Sequence, residues 1–162
     1  MNQSLLTSLL EDAKLRLRLH TDAFNSEISD LIDAAAADLL HRNAIQEAQL
    51  EGVDIDPLSV KTARENGIKN GYKEPQLTFV NGDLADKVSG KYDIVIANIV
   101  ADVIIRLCDN VTDFVKEGGV FITSGIIDTR ADEVIEAITA AGFSIAARYD
   151  DGGWVSLAAI LN

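Results

Sequence analysis

Apolar residues recur at helical spacing near the start of the chain. In residues 2–19, Leu5, Leu6, Leu9, Leu10, Ala13 and Leu17 share one stripe, with Glu11, Asp12, Lys14, Arg16 and Arg18 between them. That spacing predicts an amphipathic helix. After a break at residues 20–23, a second stripe follows in Phe24, Ile28, Leu31, Ile32, Ala35 and Leu39, and the two together predict a helical hairpin over residues 1–48. Residues 41–50 (HRNAIQEAQL) are polar and mark a shift in composition.

From residue 49 to residue 162 the rhythm changes to short strands alternating with helices. A strand ends at Val53 and Asp54. Asp56 suits a helix cap and Pro57 the first helical position. That helix reaches about Lys69 and stops at the Asn70-Gly71 turn. Residues 76–80 (QLTFV) alternate as a strand and are followed by the loop Asn81-Gly82-Asp83-Leu84. Ile94, Val95, Ile96 and Ala97 form a continuous apolar run that predicts a strand buried on both faces. Val103, Ile104, Leu107, Cys108, Val111, Phe114 and Val115 then predict one helix, closed by Gly118-Gly119. Residues 120–124 are the next strand. Asp128 or Thr129 opens a helix carrying Ala131, Val134, Ile135 and Ile138 and ending at Gly142. Residues 143–149 and 154–160 are two strands close enough for a hairpin. Strands alternating with helices predict an α/β domain with a parallel sheet.

Composition narrows the function. The chain has 162 residues and a net charge of −12, from 26 acidic against 14 basic side chains. That balance argues against direct nucleic-acid binding by phosphate neutralisation. Cys108 is the one cysteine, so no intrachain disulfide is expected, and its place in an apolar stripe predicts core packing. His20 and His41 have no ligand partners at metal spacing, so no metal site is expected. No apolar run is long enough for a membrane span. The N-terminus lacks a signal-peptide pattern, which makes a cytoplasmic location the default expectation.

Candidate chemistry lies where strands end. Residues 92–105 (YDIVIANIVADVII) pass from the apolar run through Asn98 directly into a helical pattern. A carboxamide at the carboxyl end of such a strand is placed as open α/β sheets place ligand sites, and it can hold an amine or a carbonyl. Asp54 ends the first strand, where a carboxylate can accept both hydroxyls of a ribose. Asp83 follows the second, where its carboxylate or the backbone of neighbouring Leu84 can reach an adenine amino group. Each residue alone is an ordinary turn or cap residue; their placement at successive strand ends favours a ligand site.

The stretches GVDIDPLSVKTARENGIKNG, YDIVIANIVADVII, GGVFITSGIIDTRADEV and GWVSLAAIL carry a specific likeness. Residues 52–161 resemble the catalytic domain of the methyltransferases that modify ribosomal protein eleven of the large subunit. The resemblance implies a Rossmann-like class I methyltransferase sheet, S-adenosylmethionine as cofactor, and a ribosomal protein whose amino groups accept the methyl. It assigns Asp54, Asp83, Leu84 and Asn98 to cofactor binding, and Asn98 also to catalysis, orienting the incoming amine. Residues 1–40, through the stretch HTDAFNSEISDLIDAAAADLL, resemble the helical N-terminus of phage head–tail connector proteins.

One departure matters. The family's first strand and its Gly-rich loop are expected just before residue 52, yet the first glycine of the chain is Gly52. Glycines there let the backbone approach the cofactor closely. Their absence puts cofactor binding and catalysis at risk. It also leaves unpaired strand edges which, like the helical hairpin, offer a route to a homo-oligomer. A fusion or chimera, a remodelled relative without cofactor, and a deletion before Gly52 would each give this pattern. The alternative functions are a phage connector or assembly protein, and a designed scaffold without catalysis.

Overall fold

Polar turn residues cut the chain after residue 50 into short segments. The structure, a computed structural model, describes residues 50–162 other than 70, 73 and 76. The expected hairpin of residues 1–48, with His20 and His41, lies outside the described residues. The described elements are β1 (Leu50–Asp54), α1 (Pro57–Lys69), β2 (Leu77–Asn81), β3 (Tyr92–Asn98), α2 (Ala101–Cys108), β4 (Val115–Ile127), α3 (Ala131–Ala140), β5 (Phe143–Asp151) and β6 (Trp154–Leu161). This is the order of strands and helices that the sequence predicts. The described residues divide into two compact units at Gly90 and Lys91.

In the first unit β1 and β2 pair in parallel, with Leu50 opposite Leu77 and Asp54 opposite Asn81. Parallel neighbours require a crossover, and α1 supplies it, packing against both strands. The helix starts where the sequence directs. The Leu58 amide donates to Asp56 Oδ1 at 2.9 Å and the Ser59 hydroxyl to Oδ2 at 3.1 Å. Pro57 takes the first helical position, which needs no N–H. Gly67 lets the helix sit close to the sheet, since a Cβ there would lie 2.8 Å from Leu77 Cδ2.

The second unit is a four-stranded sheet in the order β3–β4–β6–β5. β3 and β4 are parallel; β4 with β6 and β6 with β5 are antiparallel. Gly152 and Gly153, both with positive φ, close the β5–β6 hairpin. Residues 120–124 of β4 and 155–159 of β6 are buried, so these two strands form the centre of this unit. Helices α2 and α3 pack on each other, α2 also on β4 and α3 on β5. They bring Ile104, Val134 and Ile138 fully out of water. The Phe121 and Phe143 rings lie 5.7 Å apart between centroids. Cys108 packs in this core, as its stripe predicts, and burial with nearby Asp109 pushes its thiol up to about 11. Among the described residues no helix is long and apolar enough to cross a membrane.

Three expectations need correction. β3 is not buried on both faces: it is the edge of its four-stranded sheet, only Ala97 is buried, and Ile96 is 40% exposed. The doubly buried strand is β4. The helix expected through Val115 ends at Cys108; a single 3-10 turn at Val111–Asp113 follows, and Val115 already belongs to β4. Val111 and Val115 are both fully buried, so the apolar spacing persists while the backbone leaves the helix. Gly118-Gly119 is therefore no helix stop. It lies in a loop-out of β4, because Tyr92 pairs with Val115 but Ile94 with Val120. The Lys116 ammonium, 2.8 Å from Asp93 Oδ2, spans this irregularity.

Thr123 is fully buried, and its hydroxyl has no hydrogen-bond partner. An orphaned buried hydroxyl costs about 1–3 kcal/mol. Thr123→Val should therefore leave the melting temperature unchanged or raise it; a clear fall in a thermal melt would show that the hydroxyl is engaged.

Candidate functional site

The first group of polar residues stands at the carboxyl end of the β1–β2 sheet. Parallel pairing sets Asp54 beside Asn81, and the chain after each strand is then fixed by hydrogen bonds. The Asp54 carbonyl accepts from the Gly82 amide at 3.1 Å and from Asn81 Nδ2 at 3.0 Å. Asn81 Nδ2 also donates to the Ile55 carbonyl at 2.9 Å. The Asp54 carboxylate accepts the Asp56 amide through Oδ1 at 2.8 Å. An ionised carboxylate offers about four acceptor positions, so this turn leaves the exposed Asp54 side chain capacity for a ligand diol. That acceptor chemistry fits the hydroxyls of a ribose.

Three further residues belong to this end. Leu84 has φ +52°, a left-handed conformation unusual for a non-glycine residue. It costs of order 1–3 kcal/mol and concentrates at ligand sites. Ile55, between two carboxylates, is 70% exposed and offers an apolar surface beside Asp54. Asp83, also exposed, accepts the Asp86 amide at its carbonyl, 3.2 Å away, which tightens the turn that carries Leu84. Neither Asn81 nor Ile55 stands out in the sequence. The only signal for Asn81 is an amide-bearing residue at the last position of a strand.

Asn98 stands in the second unit, as the last residue of β3 and opposite Ser124 of β4. Its side chain is exposed. The chain then turns through Ile99, whose amide donates to the Ser124 carbonyl at 3.2 Å, and Val100, which precedes α2. The Arg130 guanidinium joins this region to the start of α3, lying 2.7 Å from Asp102 Oδ1 and 2.8 Å from Glu133 Oε2. So the structure brings Asp54, Asp83 and Leu84 to the carboxyl end of the paired strands β1 and β2 in the first unit, and Asn98 to a strand end in the second. Among the described residues no cluster of His, Cys, Asp and Glu could hold a metal ion.

The family model described as ribosomal protein L11 methyltransferase (PrmA) matches residues 35–161. The chain belongs to this family. Its match begins at residue 35, and the comparisons lend no support to the phage-connector likeness. The ribosomal protein L11 methyltransferase of Desulforamulus reducens is 47% identical over 114 residues, covering 70% of this chain and 37% of that relative. The one of Bacillus licheniformis is 39% identical over 115 residues, covering 71% and 37%. The chain thus spans about a third of the length of the curated relatives it matches. Among solved structures, a ribosomal protein L11 methylase from Lactobacillus delbrueckii subsp. bulgaricus has a TM-score of 0.66 at 24% identity, over 94% of this chain and 77% of that one. A methyltransferase from Pyrococcus furiosus has a TM-score of 0.58 at 14% identity, over 98% of both chains. These likenesses show the class I Rossmann-like methyltransferase fold.

The Leu58 amide, aided by Ser59, holds the Asp56 carboxyl below its ordinary 3.8 against a weaker opposing effect of burial. A carboxyl with a depressed folded value stabilises above the unfolded value and loses that contribution as pH falls through the folded one. Asp56→Ala should lower the melting temperature by a few degrees at neutral pH, and the gap from wild type should close as pH drops below 3.8. A pH series of melts by circular dichroism checks this; a gap that stays constant would remove the ionised cap.

Proposed function

We propose that the chain acts in S-adenosylmethionine-dependent methylation of amino groups on a ribosomal protein, with L11, the protein named in the family description, as the substrate. The observation that carries this reading is that the family match spans all four strand-end residues, Asp54, Asp83, Leu84 and Asn98. In this reading the Asp54 carboxylate accepts the ribose hydroxyls. The exposed Ile55 side chain lies along the adenine, and Asp83 with the Leu84 backbone meets its amino edge. The Asn98 carboxamide oxygen accepts an N–H of the incoming amine and so aims the nitrogen lone pair.

When bound, the cofactor supplies a sulfonium-activated methyl group. Asp54, Asp83 and Leu84 would hold it, and its methyl would be open to in-line attack by the amine nitrogen that Asn98 aims, with a thioether as the leaving group. The chain's task is to desolvate the amine, keep it neutral and orient it. Asn98 carries no proton that can be lost near neutral pH, so its role is orientation, and the amine's proton leaves to water.

A second reading is favoured by the absence of any glycine in residues 1–51: a chain that keeps the family's fold but no longer holds the cofactor. Calorimetric titration with S-adenosylmethionine separates the two. Saturable binding supports methylation, and absence of heat supports the second reading. With binding established, Asn98→Ala should abolish methyl transfer and spare cofactor affinity. Asp54→Ala should weaken that affinity by roughly 1–3 kcal/mol through lost charge-assisted hydrogen bonds. Transfer surviving in the first variant, or affinity unchanged in the second, removes that residue from its role.

A further inference from the structure

β4 carries an irregularity directly beside Asn98. Thr123 pairs with Leu157 of β6, but Ile126 pairs with Val155, so Ser124 and Gly125 together oppose the single residue Ser156. This is a β-bulge, a feature that re-aims side chains and often stands beside functional sites. It is anchored from within, because the buried Ser156 hydroxyl donates to Ser124 Oγ at 3.1 Å. The second bulge residue, Gly125, has φ +81°. A Cβ there would lie 2.8 Å from the Ile99 carbonyl oxygen and 3.1 Å from Asn98 Oδ1. The backbone of β4 thus passes against the Asn98 carboxamide and the peptide that follows it, closer than any side chain allows.

We propose that Gly125 is a positioning residue for Asn98: the bulge presses bare backbone against the Asn98-Ile99 segment and fixes the direction of the carboxamide. This rests on the reading of Asn98 as the group that orients the amine. The bulge does this by shape. Gly125 touches no reacting atom, and its contribution is the absence of a side chain where Asn98 must settle.

Gly153 supplies the control. Its φ is +85°, nearly that of Gly125, yet a Cβ there meets nothing within 4 Å. Gly125→Ala and Gly153→Ala therefore share the cost of a side chain at positive φ, and only the first adds the collision. Two readouts decide. The side-chain amide resonances of Asn98, assigned by their loss in Asn98→Ala, should move in Gly125→Ala and stay in place in Gly153→Ala. In methyl-transfer assays with S-adenosylmethionine and L11, Gly125→Ala should lower kcat by roughly 10- to 100-fold. Its KM for S-adenosylmethionine should hold, and Gly153→Ala should retain wild-type rates. Unmoved Asn98 resonances in Gly125→Ala, or equal losses of kcat in the two variants, overturn the proposal. A wild-type chain that transfers no methyl counts against the amine reading, and the resonances then decide the positioning role alone. Should Gly125→Ala fail to fold, Ser156→Ala loosens the bulge without adding an atom, and movement or constancy of the same resonances supports or overturns the proposal.

Discussion

The parallel pairing of β3 on β4 is the constraint from which the second unit is built. It runs from Tyr92 opposite Val115 to Asn98 opposite Ser124, and the Ile99 amide extends it by one more bond to the Ser124 carbonyl. Because β4 is also held by β6, its position is set from both sides. β3 takes its register from a strand that has little freedom to move. Asn98 is placed by the end of that register, and α2 starts from it.

The two ends of the candidate chemistry are organised alike. In each, a parallel pair carries a polar residue to its carboxyl end, and the chain beyond is tied down by backbone-directed hydrogen bonds. Asn81 does this for the segment after Asp54 through the Asp54 and Ile55 carbonyls. Ser124 does it for the segment after Asn98. Among the described residues β1 pairs only with β2, and β3 only with β4. Family membership is shown by the match over residues 35–161, whereas the chain spans about a third of its curated relatives' length.

Much of this was legible in the sequence because local rules agreed. Asp56-Pro57 starts a helix by capping and ring geometry, Gly142 and the Gly152-Gly153 pair end elements at positive φ, and Asp54 and Asn98 end their strands where the apolar runs stop. What escaped depends on tertiary register. Helical spacing of Val111 and Val115 persists after the helix has ended, since burial constrains those side chains whichever backbone carries them. An apolar run such as residues 94–97 reads the same at a sheet edge as at its centre. The bulge at Ser124-Gly125 cannot be read from β4 alone. It exists only against Ser156, 32 residues further on.

Amide hydrogen exchange at Ile99 tests the central pairing most directly. Ile99 lies beyond the last residue of β3, where an unpaired amide would exchange as fast as in a free peptide. Its bond to the Ser124 carbonyl predicts strong protection, alongside the amides of the buried β4 segment at residues 120–123. Exchange at the free-peptide rate would show that the β3–β4 register does not reach Asn98, and the placement of that carboxamide would fall with it.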